Sequence, residues 1–134
     1  MTDYATLQAQ HAQQAGELLA EHQQRIMWTA ARLHAEREAR LRALIRFAQE
    51  RSPWHRQRLA HIDPDTMTEA HLSSIPPMTK DDLMANFDGI LTDRRLTRSV
   101  VEAHLDSLED DSYLLDEFHA VASGGSSGTR GVFV

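Results

Sequence analysis

The 134-residue chain has a net charge of -6 and no cysteine. Disulfides, thiolate metal sites and cysteine nucleophiles are therefore excluded, and the negative charge argues against general nucleic-acid or anionic-membrane binding, which would need a basic face. It is 41% hydrophobic but only 6% aromatic, so its length suits one domain with a modest core of low buried area per residue. No basic segment precedes an apolar stretch near the N-terminus and no window approaches about 18 uninterrupted apolar residues, so a soluble cytoplasmic protein is expected.

Residues 1–24 are rich in Ala, Gln, His and Glu, with Leu7, Leu18 and Leu19 spread thinly and Gly16 interrupting the pattern. They read as a helical extension with a narrow apolar face that frays without a partner. From Arg25 to Glu50 the signal is stronger. Ile26, Ala30, Leu33, Leu41, Leu44, Ile45 and Ala48 follow the 3-and-4 spacing of one helical face. One continuous helix is expected there, burying Leu33, Leu41, Leu44 and Ile45. Glu21 with Arg25, Glu36 with Arg40 and Glu38 with Arg42 form Glu-first pairs four residues apart, each adding about 0.2–0.5 kcal/mol on an exposed face. The apolar positions do not sustain an a/d repeat, and arginines alternate with glutamates. The bland reading is thus a solvated face over an inner packing stripe, and the functional one is a homo-oligomer contact.

Ser52-Pro53 ends this helix and begins a short one to Ile62, with Ser52 as N-cap, Pro53 in the first turn, and Trp54, Leu59 and Ile62 as anchors. Asp63-Pro64-Asp65 is a turn, and a short helix follows from Thr68 or Glu69. In Ile75-Pro76-Pro77-Met78-Thr79-Lys80-Asp81-Asp82-Leu83 the prolines impose an extended approach, Thr79 caps a helix and Asp82 stands where a capping-box acid belongs. After Phe87-Asp88-Gly89 the chain turns, and Thr97 caps a helix whose Val100, Val101, His104, Leu105 and Leu108 share a face. The acidic run from Asp106 to Glu117 lacks the spacing of a calcium loop, and the eight histidines contain no His-x-x-x-His pair. His119 alone stands close in sequence to the most distinctive stretch.

That stretch is Ala122 to Val134. Small hydroxyl and glycine residues lie between His119-Ala120-Val121-Ala122 and Gly131-Val132-Phe133-Val134, which reads as strand, glycine loop, strand. Glycines let successive backbone N–H groups approach an anion, and Ser126, Ser127 and Thr129 add hydroxyls, with Arg130 as a cation at the rim. No lysine follows Gly128 and Val132-Phe133-Val134 favours a strand, so neither a Walker A loop nor a dinucleotide loop fits. A flexible Gly/Ser linker is the bland alternative.

Ser123-Gly124-Gly125-Ser126-Ser127-Gly128-Thr129-Arg130-Gly131 resembles the phosphate-binding signature of acyl-adenylate-forming enzymes, in the phenylacetate–CoA ligase and coenzyme F390 synthetase branch. Gly125, Ser126, Ser127 and Gly128 fall on its central Gly-[Ser/Thr]-[Ser/Thr]-Gly, while Thr129 stands where lysine is usual and Arg130 where proline is usual. Phe47 to Leu59 is similar to that family's N-terminal run, and Pro76 to Leu83 to its Pro-x-x-Thr-Lys-x-Asp-Leu segment. The resemblance spans about Leu41 to Val134.

The resemblance implies that Ser123, Gly125, Ser126, Ser127, Gly128 and Thr129 contact ATP phosphates. It also implies that the complete enzyme uses ATP, Mg2+, coenzyme A and a carboxylic acid. Residues 25–134 would be the N-terminal part of an α/β adenylate-forming domain, cut just after the phosphate loop and not catalytic alone. In this chain the fold is expected to be mainly α with a short C-terminal strand-loop-strand. Lacking a sheet to join, residues 123–134 should be poorly packed and Phe133 exposed. The competing function is a self-sufficient helical interaction module with an unstructured Gly/Ser tail.

Overall fold

The computed structural model describes residues 3–124 and 130–134. It is mainly helical: α1 spans Tyr4–Arg25, α2 Ala30–Arg51, α3 Pro53–Arg58, α4 Lys80–Ala85, α5 Phe87–Ile90 and α6 Arg98–Asp106, with a 3₁₀ helix over Glu69–Ser74. A two-stranded antiparallel sheet pairs β1, Val121–Ala122, with β2, Val132–Phe133. The chain divides into two compact units, one of residues 1–29 and 99–134 and the other of residues 30–98. No helix among the described residues is long and apolar enough to cross a membrane.

The expected continuous helix from Arg25 to Glu50 is instead two helices. The interruption falls at residues 26–29, where Ile26, Trp28 and Thr29 are β-branched or aromatic residues of lower helix propensity. The last turn of α1 tightens there, because Ile26, Met27 and Trp28 N–H groups each bond the carbonyl three residues back. Arg25 lies 5.5 Å over the Trp28 ring. Upstream, Gly16 does not break α1, which runs unbroken through it. Asp3 caps this helix, its Oδ1 accepting from Thr6 N–H at 3.0 Å.

In the unit of residues 30–98, Ile45, Leu59, Ile62 and Met67 form the core, and Leu41, Ala48 and Ile75 pack against it. Leu44 does not belong to it: 63% exposed, it corrects the expectation of a buried residue. Ile45, the next residue, is rotated about 100° around α2 and enters the core, with Leu41 and Ala48 packed against it. Leu33 is half-buried. The short helix after Ser52 ends at Arg58, four residues before the predicted end, yet Leu59 and Ile62 still enter the core.

Hydrogen bonds fix the corner between α2 and α3. Ser52 is fully buried; its Oγ accepts from His55 N–H at 3.3 Å and donates to the Gly89 carbonyl at 3.0 Å. Gly89 sits close beneath Trp54, where an added Cβ would lie 3.5 Å from the Trp54 Cβ. Arg56 donates to the Gln49 and Glu50 carbonyls at 2.9 and 2.6 Å, capping the end of α2 with a cation. Gln49 in turn donates to the Leu59 and Ile62 carbonyls at 2.8 and 2.9 Å. The capping box at α4 forms as the sequence indicated: Thr79 N–H donates to Asp82 at 2.9 Å and Asp82 N–H to Thr79 Oγ1 at 3.1 Å.

Outside the core, Glu69 anchors the 3₁₀ helix to α2, meeting Arg37 at 2.5 Å and His34 at 3.0 Å. The hydrogen bond from Arg37 is the main cause of a Glu69 carboxyl held below its ordinary value.

Two expectations follow. Ile45→Ala should cost about 2–5 kcal/mol in denaturant unfolding, whereas Leu44→Ala should cost less than about 0.5 kcal/mol; equal losses would place Leu44 in the core after all. Because the folded state lowers the Glu69 pKa, its stabilisation is present above the ordinary value of 4.5 and is lost as pH falls through the folded value. Glu69→Gln should therefore be less stable than the parent at pH 7, with the gap closing in acid. A gap that is constant with pH would contradict this.

Candidate functional site

The sequence-predicted site lies in the unit of residues 1–29 and 99–134. Its two flanks meet in the predicted way but over shorter strands, Val121 facing Phe133 and Ala122 facing Val132. Beyond the last ladder pair the neck is closed by Ser123 and Gly131. Ser123 N–H donates to the Gly131 carbonyl at 2.8 Å, and Gly131 N–H donates to Ser123 Oγ at 2.9 Å. A serine suits this position because its short hydroxyl reaches the backbone across the neck.

Packing on the two flanks differs. Phe133 is 40% exposed, as expected, whereas Val132 is fully buried and corrects the expectation that residues 123–134 are poorly packed. Alternation explains both, since neighbouring strand residues point to opposite faces. Of the predicted phosphate contacts, Ser123 is at the neck; Gly125, Ser126, Ser127, Gly128 and Thr129 lie outside the described residues. An added Cβ at Gly124 would meet none of the described residues within 4 Å, which leave the backbone there uncovered. Arg130, the predicted rim cation, donates to Asp106 Oδ1 at the end of α6 at 3.2 Å. Both side chains are largely exposed, so this ion pair is weak and open to competition by another anion.

A second group of residues lies at the entrance to β1. Tyr113 is buried, and its hydroxyl is 3.2 Å from His11 Nδ1 of α1. The His119 ring stacks 4.3 Å from Tyr113 and 5.6 Å from His11, while Tyr4 lies 5.3 Å from Tyr113. Burial, and to a lesser degree Tyr4, pushes the Tyr113 phenol above its ordinary value. Here His119 packs in an aromatic cluster. Its partners Tyr4, His11 and Tyr113 come from distant parts of the chain, and no local spacing in the sequence brings them together. Among the described residues, no group of three His, Cys, Asp or Glu side chains is placed to hold a metal ion, so they offer no preformed magnesium site.

The chain enters this cluster through a tight turn. Leu114 and Phe118 exchange both backbone hydrogen bonds at 2.9 Å, and Leu115 and Asp116 between them each adopt φ of 56°. Left-handed backbone is tolerated by Asp better than by Leu. Leu115 is 45% exposed, so little burial offsets its conformational cost. No family model, curated protein or solved structure matches the chain.

Leu115→Gly should therefore raise stability by about 1 kcal/mol, since glycine removes the steric penalty of positive φ. Thermal or denaturant unfolding reads the change, and a loss of stability would show that the leucine side chain contributes more than its backbone costs.

Proposed function

We propose that these residues form the N-terminal, phosphate-loop-bearing part of an adenylate-forming acid–CoA ligase, similar to the phenylacetate–CoA ligase branch. The observation that carries this is the closed neck: Ser123 and Gly131 join across paired strands, so the Gly/Ser stretch spans a hairpin instead of trailing from a helical body. Further support comes from the residues that match the family's signature at Gly125 to Gly128 and from the capped helix at Thr79 to Leu83. The same pairing argues against the competing helical module with a free tail, because β2 returns and buries Val132.

In the proposed role, the loop's backbone N–H groups and the hydroxyls of Ser126, Ser127 and Thr129 hold the β- and γ-phosphates of ATP. A carboxylate oxygen then attacks the α-phosphorus in line, the bond to the β-phosphate oxygen breaks, and pyrophosphate leaves with the negative charge that the loop is arranged to receive. Positioning and charge stabilisation are the loop's contribution. Arg130 exchanges Asp106 for a phosphate oxygen. When bound, Mg2+ neutralises phosphate charge and coenzyme A supplies the thiol that displaces AMP to give the thioester.

The test is an amide-resolved titration of the chain with Mg-ATP and with pyrophosphate. Both ligands should shift the amides of Gly124 to Gly131, weakly and alike, and Gly128→Val should abolish the shift by blocking backbone approach. Ser127→Ala should weaken it. The 134 residues alone should give no carboxylate-dependent exchange of pyrophosphate into ATP. Amides that stay still at millimolar ligand, or that shift equally in Gly128→Val, would remove the loop from phosphate binding.

A further inference from the structure

One side of α2 is only half covered. Leu41, Leu44 and Ile45 of α2, with Leu59, Ile75 and Met78, line a cleft of about 290 Å3 with almost wholly apolar walls. Leu44 and Met78 are exposed at its mouth. This cleft lies within the unit of residues 30–98.

Two polar side chains complete its lining, Arg58 and His55. Arg58 is held from three directions: its guanidinium lies 4.5 Å over the Trp54 ring, and Nη2 donates to the Pro76 carbonyl at 2.9 Å and to the Pro77 carbonyl. Its Nε and Nη1 make no hydrogen bond to the described residues, and no carboxylate among them forms a salt bridge with it. Asp82 feels the charge, but its carboxylate is engaged by the Thr79 N–H and hydroxyl. Burial first, and Arg58 second, hold His55 below its ordinary value, so its imidazole is uncharged at neutral pH and adds no second cation.

A fixed cation with no ion-pair partner among the described residues, beside an apolar cleft, selects a particular chemistry. A neutral apolar occupant would strip water from the guanidinium without compensating it. A phosphate would leave the apolar walls unused. A planar carboxylate meets the guanidinium edge with charge-assisted hydrogen bonds, while an attached chain or ring covers the walls. The volume stands at the lower end of small-ligand sites, about 300 Å3.

We propose that this cleft is a binding site for a small apolar monocarboxylate, its hydrocarbon body against Leu44, Ile45 and Met78 and its carboxylate on the Nε and Nη1 edge of Arg58.

Octanoate and 1-octanol, equal in chain length and different in charge, are the probes, read by amide chemical shifts of the full chain. Octanoate should shift the amides of residues 41–48 and 55–59 and of Ile75 and Met78, and should bind about tenfold more tightly than octanol. Arg58→Met should bring the two probes to equal affinity. Leu44→Glu, at an exposed position that leaves the core intact, should weaken octanoate while retaining the parent's spectral dispersion, and it decides the matter if Arg58→Met does not fold. Equal binding of both probes to the parent, shifts confined to other residues, or octanoate binding unchanged in Leu44→Glu would each overturn the proposal. So would concentration-dependent shifts of the cleft amides without ligand, which would mean that a second copy of the chain occupies it.

Discussion

The reciprocal hydrogen bonds between Ser123 and Gly131 decide what the Gly/Ser stretch is. Without them, those residues would be a linker whose conformational entropy nothing offsets. With them, the two ends of the stretch, at Ser123 and Gly131, are joined beside the paired strands. Each bond contributes about 0.5–1.5 kcal/mol net, too little to order the loop alone. Burial of Val132 adds about 1.5–3 kcal/mol and gives the short ladder a hydrophobic anchor. The proposed phosphate contact depends on this neck, since only a loop with fixed ends can present several donors to one anion.

A comparable constraint operates in the other unit at Ser52. This one buried hydroxyl starts α3 by accepting from His55 and bonds the Gly89 carbonyl of α5. The position of α3 follows from it, and with it the placement of Trp54, His55 and Arg58. Trp54 and the carbonyls of Pro76 and Pro77 then aim the Arg58 guanidinium. The apolar cleft and its cation are thus consequences of one capped corner. The two prolines contribute because each holds the residue before it extended, Ile75 before Pro76 and Pro76 before Pro77, and their consecutive carbonyls both accept from the arginine.

Local chemistry was the legible part of the sequence. Ser52 with Pro53 and Thr79 with Asp82 both cap helices where their spacing indicated, because capping depends on residues within one turn. The charge pairs along the helices formed for the same reason. The break between α1 and α2 was less visible: Ile26 lies in phase with the α2 stripe, and periodicity masked the lower helix propensity of Ile26, Trp28 and Thr29. Leu44 was misjudged because periodicity identifies an apolar face and not how far the neighbouring elements extend across it. Nor did any local pattern join Tyr4, His11, Tyr113 and His119, which meet only through the packing of their unit. The strand-loop-strand pattern was readable from Val121 and Val132, whereas the burial of Val132 required the folded chain.

Amide hydrogen exchange at Ser123 and Gly131 tests the closed hairpin most directly, because both N–H groups point into the neck and neither would be protected in a linker. Both should exchange more slowly than their unstructured rates, and Ser123→Ala should release the Gly131 amide, which loses its acceptor, while leaving the Ser123-to-Gly131 backbone bond available to position 123. Free exchange at both amides in the parent chain would contradict the hairpin and, with it, the proposed phosphate loop.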